Sequence, residues 1–399
     1  MKKVFILLMI FTLSLFAQEK DKGKLVEQKN KFYEEIVKKL DGDDAEVKAR
    51  KKFLLELENY NIPESPDVFN SVWHNDPLSQ GRSGMCWSFS TTSFLESEAN
   101  RISGVKVKLS ELFTVYYEYI EKAKRFVEER GNSRIAEGSL SGAVLKIWGD
   151  YGAVPEAIYD GMGGKACHDH KGLFEEIDKF LTSVKESGNW NLDFVLSTVK
   201  SILDHHIGEP PAEFEFEGKK YTPVSFVSDY LKLDPADYEI IISFKDKPYF
   251  ERVYFDVPDN WWKGDDYINV PLDTYITTID NALENGYSLC LDADVGESGL
   301  NGDYDVGVIP GYDIPSEYVN EDARFYRFDN GMTTDDHLVH MIAKKEIDGE
   351  KWYLIKDSMS GAFNGKHPGY FFYNEDYVKL KVLFFVAHKD ALKEILAKL

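Results

Sequence analysis

The sequence predicts an α+β fold with two layers, a helical part that comes first and an antiparallel β-rich part that comes last. Apolar residues recur at helical spacing over much of residues 24–160, whereas extended runs bounded by turn residues dominate after residue 266. Residues 163–265 differ in texture, with helical pieces followed by Pro210-Pro211 and short extended runs. Because helices and strands are segregated along the chain, we expect an α+β class with a large inserted subdomain.

Five segments follow one another along the chain. The N-terminal segment is expected to hold two helices on either side of an acidic turn at 41–44, and the breaker sequence 61–66 ends it. Helices are predicted over 84–102, 109–130, 139–151, 174–185, 193–206, 273–285 and 390–399, and strands over 238–244, 252–256, 287–291, 338–344, 352–356, 369–373 and 380–387. The segments are a signal peptide (1–17), an N-terminal helical segment (18–62), the helical part of the main domain (63–162), the inserted subdomain (163–265) and the β-rich part (266–399).

The signal peptide is predicted from the pattern of the first residues. Two lysines follow Met1, residues 4–16 form an apolar run of 13 residues, and Ala17 precedes a polar stretch. Such a run is too short to span a bilayer but has the length of a signal-peptide core. We expect cleavage near Ala17 and export to the periplasm or outside the cell, with a buried N-terminal helix as the alternative.

Composition and charge exclude several classes of partner. The chain has 399 residues, 43% of them hydrophobic, and a formal net charge of −22. An acidic excess of this size repels phosphate backbones and anionic lipids, so nucleic acid is not expected as a partner, nor is a membrane after signal cleavage. The basic clusters at 38–39 and 48–52 are interleaved with acids, which is typical of solvated faces.

A reactive cysteine is predicted at the start of the helix that follows Gly84. The stretch Gln80-Gly81-Arg82-Ser83-Gly84-Met85-Cys86-Trp87 brings Cys86 to a first helical turn, where free N–H groups and the helix dipole stabilise a thiolate. The chain has three cysteines, so at least one thiol stays free. Cys167 and Cys290 are interpreted as inert small hydrophobic residues.

A proton shuttle and a group that orients it are predicted in the β-rich part. His337 begins an extended run whose alternation places it on one face with Val339 and Met341, whereas His340 points the other way. Asp357 follows the strand that ends at Lys356 and is placed to orient the His337 imidazole.

These residues resemble the papain family of cysteine peptidases. The family has a Gln six residues before its Cys, and Gln80 stands in that relation to Cys86. His337 follows Cys86 by 251 residues, whereas the family's His follows its Cys by about 130–150. The excess is close to the length of the segment 163–265, and large insertions characterise the bleomycin hydrolase and aminopeptidase C branch. Further stretches similar to that branch are Tyr151-Gly152-Ala153-Val154-Pro155, Asn269-Val270-Pro271-Leu272 and Asp294-Val295-Gly296.

The resemblance implies a papain-like two-layer fold and a role for each candidate residue. Cys86 attacks the scissile carbonyl, His337 takes and returns the proton, and Asp357 orients the imidazole. Gln80 and the Cys86 backbone N–H hold the oxyanion. The stretch that matches the family's Gly-rich cleft strand, and so lines the substrate backbone, is Gly138, Ser139, Leu140, Ser141 and Gly142. The expected partner is a peptide or protein substrate, no cofactor or metal is implied, and a homo-oligomer stays open.

Departures from the family keep alternatives open. Asp357-Ser358-Met359 stands where the family has Asn-Ser-Trp. Met359 is smaller than the family's Trp and therefore shields the hydrogen bond between His337 and Asp357 less from water. One alternative is therefore a catalytically impaired member that binds peptides, and another is an acyltransferase, against which the Gln80 spacing argues. Zinc at 167–170 and calcium at 292–305 are disfavoured by their spacing, and the second stretch is interpreted as a solvated loop. In the bleomycin hydrolase and aminopeptidase C branch, residues after the last helix bring the terminal carboxylate to the α-amino group of the substrate. Because the given sequence has no extended residues after the predicted helix 390–399, we also expect substrates with blocked N-termini to be tolerated.

Overall fold

The computed structural model describes residues 21–58 and 60–399. The predicted signal peptide lies outside these residues. The helices are α1 (Lys31–Asp41), α2 (Cys86–Ser103), α3 (Glu111–Glu128), α4 (Ser141–Tyr151), α5 (Lys171–Ser187), α6 (Leu192–Ile207), α7 (Pro223–Ser225), α8 (Leu272–Glu284), α9 (Glu321–Asp329), α10 (Glu375–Lys381) and α11 (Lys393–Leu396). The strands are β1 (Gly23–Gln28), β2 (Arg50–Leu55), β3 (Phe214–Phe216), β4 (Lys219–Tyr221), β5 (Tyr238–Ile242), β6 (Glu251–Val253), β7 (Tyr267–Asn269), β8 (Leu289–Ala293), β9 (Leu300–Asn301), β10 (Val306–Gly307), β11 (His337–Ile347), β12 (Glu350–Lys356), β13 (Tyr370–Asn374) and β14 (Val382–His388).

A ten-stranded, open sheet forms one layer. Its strand order is β6-β7-β5-β14-β8-β11-β12-β13-β10-β9, and the pairs are antiparallel except for β5 with β7 and β10 with β13. Helices α2, α3 and α4 pack together and share a core with one face of β8 and β11. The α+β prediction with helices before strands is therefore confirmed. Among the described residues, no helix combines the length and apolar content needed to cross a bilayer.

Helix α2 lies in the centre of the molecule and carries Cys86 at its first position. Its residues from Trp87 to Ala99 are buried, because α3 and α4 cover one side and the sheet covers the other. Its small hydroxyl residues find partners across these contacts: Ser88 donates to the Glu111 carbonyl at 2.9 Å, and Ser93 bonds His340 Nδ1 at 2.9 Å. A helix buried on all sides holds its N-terminus in a fixed place.

The second helix predicted in the N-terminal segment is wrong. Residues 50–55 form β2, which pairs antiparallel with β1, with Phe53 opposite Leu25. Leu55 and Leu57 are buried in a core cluster with strand residues of the main sheet, and the Leu55 amide donates to the Ser298 carbonyl at 3.0 Å. These tertiary contacts override the apparent helical spacing.

The segment 163–265 does not stand apart from the rest of the molecule. Strands β5 and β6 belong to the ten-stranded sheet, and β5 pairs with β14 near the C-terminus. Helix α6 packs on α3, and both contribute to one hydrophobic core. The predicted helices and strands of this segment are present, but they extend the main layers.

Candidate active site

Three predicted residues from distant parts of the chain meet at the N-terminus of α2. Cys86 is half-buried at the first position of that helix, and no side chain caps the helix there. His337 begins β11, and Asp357 directly follows β12, the antiparallel neighbour of β11. An uncapped helix N-terminus offers free N–H groups and a positive dipole end to a thiolate or an oxyanion.

The imidazole of His337 lies between a carboxylate and a thiol. Its Nε2 is 2.7 Å from Asp357 Oδ1, and both side chains are buried. Burial of the ring opposes protonation, but Asp357 and the Cys86 sulfur outweigh it and hold the pKa of His337 well above its usual range. Because Nε2 is engaged by Asp357, Nδ1 is the nitrogen left for Cys86. The arrangement therefore favours the protonated imidazolium form of His337.

Asp357 is held by its own backbone and by its neighbours. Its amide donates to the Gly369 carbonyl at 2.9 Å, and its Oδ1 accepts a second hydrogen bond from the Met359 amide at 2.7 Å. The other oxygen, Oδ2, is buried and has no hydrogen-bond partner among the described residues. Met359, half-buried, takes the place of the family's larger shielding residue.

Hydrogen bonds with Ser358 connect Gln80 to the end of β12, next to Asp357. The Gln80 amide donates to the Ser358 carbonyl at 2.9 Å, and the Ser358 hydroxyl donates to Gln80 Oε1 at 2.8 Å. Gln80 Nε2 donates one hydrogen to the Ser83 carbonyl at 2.8 Å, which leaves its second hydrogen for a ligand. The role of Ser358 was not predicted, although it lies between two residues that the sequence had indicated.

The stretch predicted to line the substrate backbone is not a strand. Residues 138–140 form a loop, and Ser141 and Gly142 begin α4. Trp87 Nε1 donates to the Glu137 carbonyl at 3.0 Å, so the loop at Gly138 and Ser139 runs beside the start of α2. The side chain of Leu140 lies in the helical core, the Ser141 hydroxyl accepts a hydrogen bond from Thr91, and a Cβ at Gly142 would meet Ile240. Helix packing places these last three residues away from the groove.

A groove of about 770 Å³ opens next to Gln80. Gln80 and Gly84 line one side of it, and Glu137 and Met359 also contribute. Helix α1 lies on its rim through Tyr33. Side chains of the main domain hold the N-terminal segment at this place. Asp41 Oδ2 pairs with Arg82 Nη1 at 2.6 Å, and Asn30 Nδ2 donates to Ser360 Oγ at 2.9 Å. The Phe32 ring stacks on the Phe363 ring, with 4.6 Å between their centroids.

The other two thiols have different surroundings. Cys290 is fully buried in β8, where the Ser90 hydroxyl lies 3.0 Å from its sulfur, and burial raises its pKa. Burial also raises the pKa of Cys167. These surroundings favour the neutral thiol at both positions.

Residues 167–170 have a structural role. Asp169 accepts from Arg82 Nε at 2.8 Å. Burial lowers the pKa of His168 to about 4 and that of His170 to about 3, so both rings are neutral. No cluster of three or more His, Cys, Asp or Glu side chains arranged to hold a metal occurs within the described part of the chain.

The prediction of a solvated loop at 292–305 is confirmed only in part: residues 295–298 and 302–304 are at least partly exposed and lie in loops or turns, whereas the beginning of the stretch is buried. Asp292 is fully buried in β8, and Asp294 is buried just beyond its end. Sequence reasoning also missed Asp335, two residues before His337, whose carboxyl interacts with that of Asp292. The two adjacent acidic residues before His337, Asp335 and Asp336, are the sequence feature that could have indicated this interaction.

Comparisons with known proteins find peptidases among the similar chains. No protein-family model matches the chain. Cysteine proteinase 1, mitochondrial, of Saccharomyces cerevisiae is 24% identical over 270 residues, which cover 55% of this chain and 55% of that protein. Aminopeptidase G of Lactobacillus delbrueckii subsp. lactis is 22% identical over 268 residues, which cover 57% of this chain and 61% of that protein. The aligned region thus spans little more than half the length of these curated relatives.

A solved structure resembles most of the fold. PepW from Lactobacillus rhamnosis has a TM-score of 0.67 at 19% identity, and the match covers 84% of both chains. The fold and the similar sequences together make the chain similar to the papain-like cysteine peptidases. Among these proteins, the chain is similar to members of the bleomycin hydrolase and aminopeptidase C branch.

Proposed function

We propose that this protein hydrolyses peptide bonds as a thiol peptidase with Cys86 as its nucleophile. The observation that carries the proposal is the meeting of Cys86, His337 and Asp357 at the uncapped start of α2, with 2.7 Å between His337 Nε2 and Asp357 Oδ1. Two relatives named as a proteinase and an aminopeptidase support a peptide as the substrate.

The proposed reaction has two steps, formation of a thioester on Cys86 and hydrolysis of that thioester. The Cys86 thiolate attacks the scissile carbonyl, and the oxyanion accepts hydrogen bonds from the free hydrogen of Gln80 Nε2 and from the Cys86 backbone N–H. The His337 imidazolium then gives its proton to the leaving amine, and a thioester remains on Cys86. His337 next takes a proton from water, which attacks the thioester and releases the acid. Asp357 keeps the ring oriented throughout.

A catalytically impaired peptide-binding protein is the second candidate. The observation that favours it is the carboxylate of Asp357, whose Oδ2 is buried without a hydrogen-bond partner among the described residues. This charge holds the proton on His337 and so opposes its transfer to the leaving amine. The two candidates share a groove and differ in turnover.

Turnover on a peptide library separates the two candidates. We expect the purified protein to release new amino termini and Cys86→Ala to release none, with fragments identified by mass spectrometry. A wild-type protein that binds peptides but leaves them intact would support the impaired protein instead.

We further propose that the protein is exported. The pattern at 1–17 supports this, and the test is the N-terminus of the protein recovered from cell fractions. A mature chain that begins near residue 18 outside the cytoplasm is expected, and an intact Met1 in the cytoplasm would contradict export.

A further inference from the structure

Arg82 lies between the two candidate oxyanion donors. It follows Gln80 by two residues and precedes Cys86 by four, so it belongs to the loop that carries both of them. The reaction proposed above uses neither the charge of Arg82 nor its hydrogen bonds. A guanidinium offers five N–H donors in one plane, and the partners of these donors show what Arg82 does in the loop.

Two carboxylates from different parts of the chain bind the Arg82 guanidinium. Nε and Nη2 donate to the two carboxylate oxygens of Asp169 at 2.8 and 3.0 Å. Nη1 and Nη2 donate to the two carboxylate oxygens of Asp41 at 2.6 and 3.1 Å. A bidentate pair fixes the orientation of the groups as well as their distance. Two such pairs at once leave the guanidinium little freedom to turn.

The backbone of Arg82 is held by the same neighbouring segment. Its amide donates to the His168 carbonyl at 2.9 Å, and its carbonyl accepts from the His170 amide at 3.1 Å. Gly81 has a φ of +64°, and a Cβ there would lie 2.2 Å from the His168 oxygen. Because both the main chain and the side chain of Arg82 bind residues 168–170, the loop has one defined position against that segment.

The position of Arg82 determines that of Gln80 through Ser83. The Ser83 hydroxyl donates to the Gln80 carbonyl at 2.7 Å, and Gln80 Nε2 donates to the Ser83 carbonyl at 2.8 Å. Ser83 directly follows Arg82, so a shift of Arg82 moves the partner that orients the Gln80 amide. A displacement of about 1 Å in a reacting or stabilising group can cost about 100-fold in rate.

The two carboxylates differ in how far solvent reaches them. The side chains of Arg82 and Asp169 are 20% and 15% exposed, whereas that of Asp41 is 45% exposed. Isolated surface ion pairs contribute little, but pairs with bidentate geometry that form a network contribute more. Hydrogen bonds from Arg82 lower the pKa of Asp169, which keeps this carboxylate charged. Asp169 is therefore the stronger of the two partners.

Asp41 connects this loop to the N-terminal segment. It is the last residue of α1, an 11-residue helix about 16 Å long, and Asn30 at the other end of the helix donates to Ser360. Ser360 follows Met359, whose amide donates to Asp357. Helix α1 thus extends from the loop after Asp357 to the loop before Cys86.

We infer that Arg82 is a positioning residue for the two oxyanion donors. Asp169 is its main partner, and Asp41 of α1 is its second. This inference rests on the proposed peptidase function and gives the N-terminal segment a part in turnover, because α1 then supports the geometry of the oxyanion site.

Kinetics of three variants test this role. Asp169→Asn replaces one acceptor with an N–H₂ group that faces the guanidinium, and Arg82→Lys keeps the charge but cannot bind both carboxylates bidentately. Each should lower kcat by at least about tenfold with little change in KM. Asp41→Asn should lower kcat by about threefold, and it is the variant with the least effect on folding because Asp41 is half-exposed at a helix end.

Glu34→Gln is the matched control on the same helix. Glu34 pairs with Lys29 at 2.7 Å and with Lys38 at 3.2 Å, both within the N-terminal segment. The variant removes two ion pairs of α1 without changing the contact with Arg82. It should keep the kcat of the wild type.

A peptide aldehyde separates the oxyanion site from general loss of structure. The Cys86 sulfur bonds to the aldehyde carbon, and the carbonyl oxygen takes up the electron pair in the position of the oxyanion. Aldehyde affinity should fall in Asp169→Asn by the same factor as kcat/KM, because both report stabilisation of that oxygen. The rate at which iodoacetamide alkylates Cys86 should stay unchanged, since alkylation forms no oxyanion. A variant that slows alkylation to the same extent is damaged in structure, which would contradict a positioning role.

The outcomes distinguish this inference from the proposed function. If the wild type cleaves peptides and the Asp169 and Asp41 variants keep its kcat and its aldehyde affinity, the positioning role fails and the peptidase proposal stands. If the wild type cleaves no peptide but binds the aldehyde more tightly than Asp169→Asn does, the peptidase proposal fails and the positioning role stands. A raised KM at unchanged kcat in Arg82→Lys would mean that Arg82 binds substrate, and a higher kcat in Asp41→Asn would mean that α1 restrains the site. Either result would overturn the inference.

Discussion

Replacement of Asp357 tests how much its charge contributes to the candidate site. Asp357→Ala removes the acceptor 2.7 Å from His337 Nε2 and also the acceptor of the Met359 amide. A hydrogen bond between charged groups contributes about 1.5–3 kcal/mol, which corresponds to about 10–150-fold in rate. Because both side chains are buried, solvent screening does not reduce this figure much. We expect kcat/KM to fall by at least tenfold.

Asp357→Asn separates orientation from charge. The amide oxygen can still accept from His337 and from the Met359 amide, and the side-chain nitrogen takes the place of the unpartnered Oδ2. We expect activity to be largely kept. Because Asp357 raises the pKa of His337, its loss should lower that pKa, so the alkaline limit of kcat/KM should move to lower pH.

The assay is the pH profile of kcat/KM with a fluorogenic peptide. Thermal unfolding of both variants controls for loss of structure, and Asp246→Ala, at an exposed position, is the matched control. If Asp357→Ala cleaves as fast as the wild type, or if Asp357→Asn leaves the alkaline limit in place, then Asp357 does not act on His337 and this reasoning is refuted.

Three further predictions concern single residues. At pH 6, iodoacetamide should label Cys86 well before the other two thiols, because the His337 imidazolium favours the thiolate of Cys86. Equal labelling of the three thiols in peptide mapping would contradict the assignment of Cys86 as the nucleophile. Gln80→Ala should lower kcat by about 100-fold with little change in KM, because the variant lacks a hydrogen-bond donor to the oxyanion. A changed KM with an unchanged kcat would mean that Gln80 contributes to substrate binding instead. Asp294→Ala should destabilise the fold by about 1–3 kcal/mol in urea unfolding, because the buried amides of Gly296 and Thr334 lose their acceptor and Lys381 keeps only Glu297, at 3.7 Å, as a carboxylate partner. Asp303→Ala, at an exposed position, should cost far less.

The candidate site was predictable because its signals are local. The turn that precedes Cys86, the spacing from Gln80, the strand start at His337 and the strand end before Asp357 are each set by a few neighbouring residues. The same holds for the long helices α2 to α6, whose apolar spacing predicts them within a few residues. Local sequence determines which backbone groups are free and which side chains share a face.

The elements that were misread depend on contacts between distant residues. Residues 50–55 form a strand because β1 pairs with them, and the segment 163–265 joins the main sheet because β5 pairs with β14. Neither partner can be identified from the local pattern, since strand pairing is a property of two segments at once.

Burial of the acidic residues was decided by tertiary structure in the same way. By itself, the sequence indicated a candidate nucleophile and a candidate base, and it determined a strongly acidic chain. Only the packing of β8 between β11 and β14 decided that Asp292 is enclosed next to Asp335, while Asp294 receives donors from the nearby Gly296 and from the distant Thr334 and Lys381. The physical reason is that a carboxyl's charge state and partners depend on what surrounds it in three dimensions, and sequence neighbours supply only a small part of those surroundings.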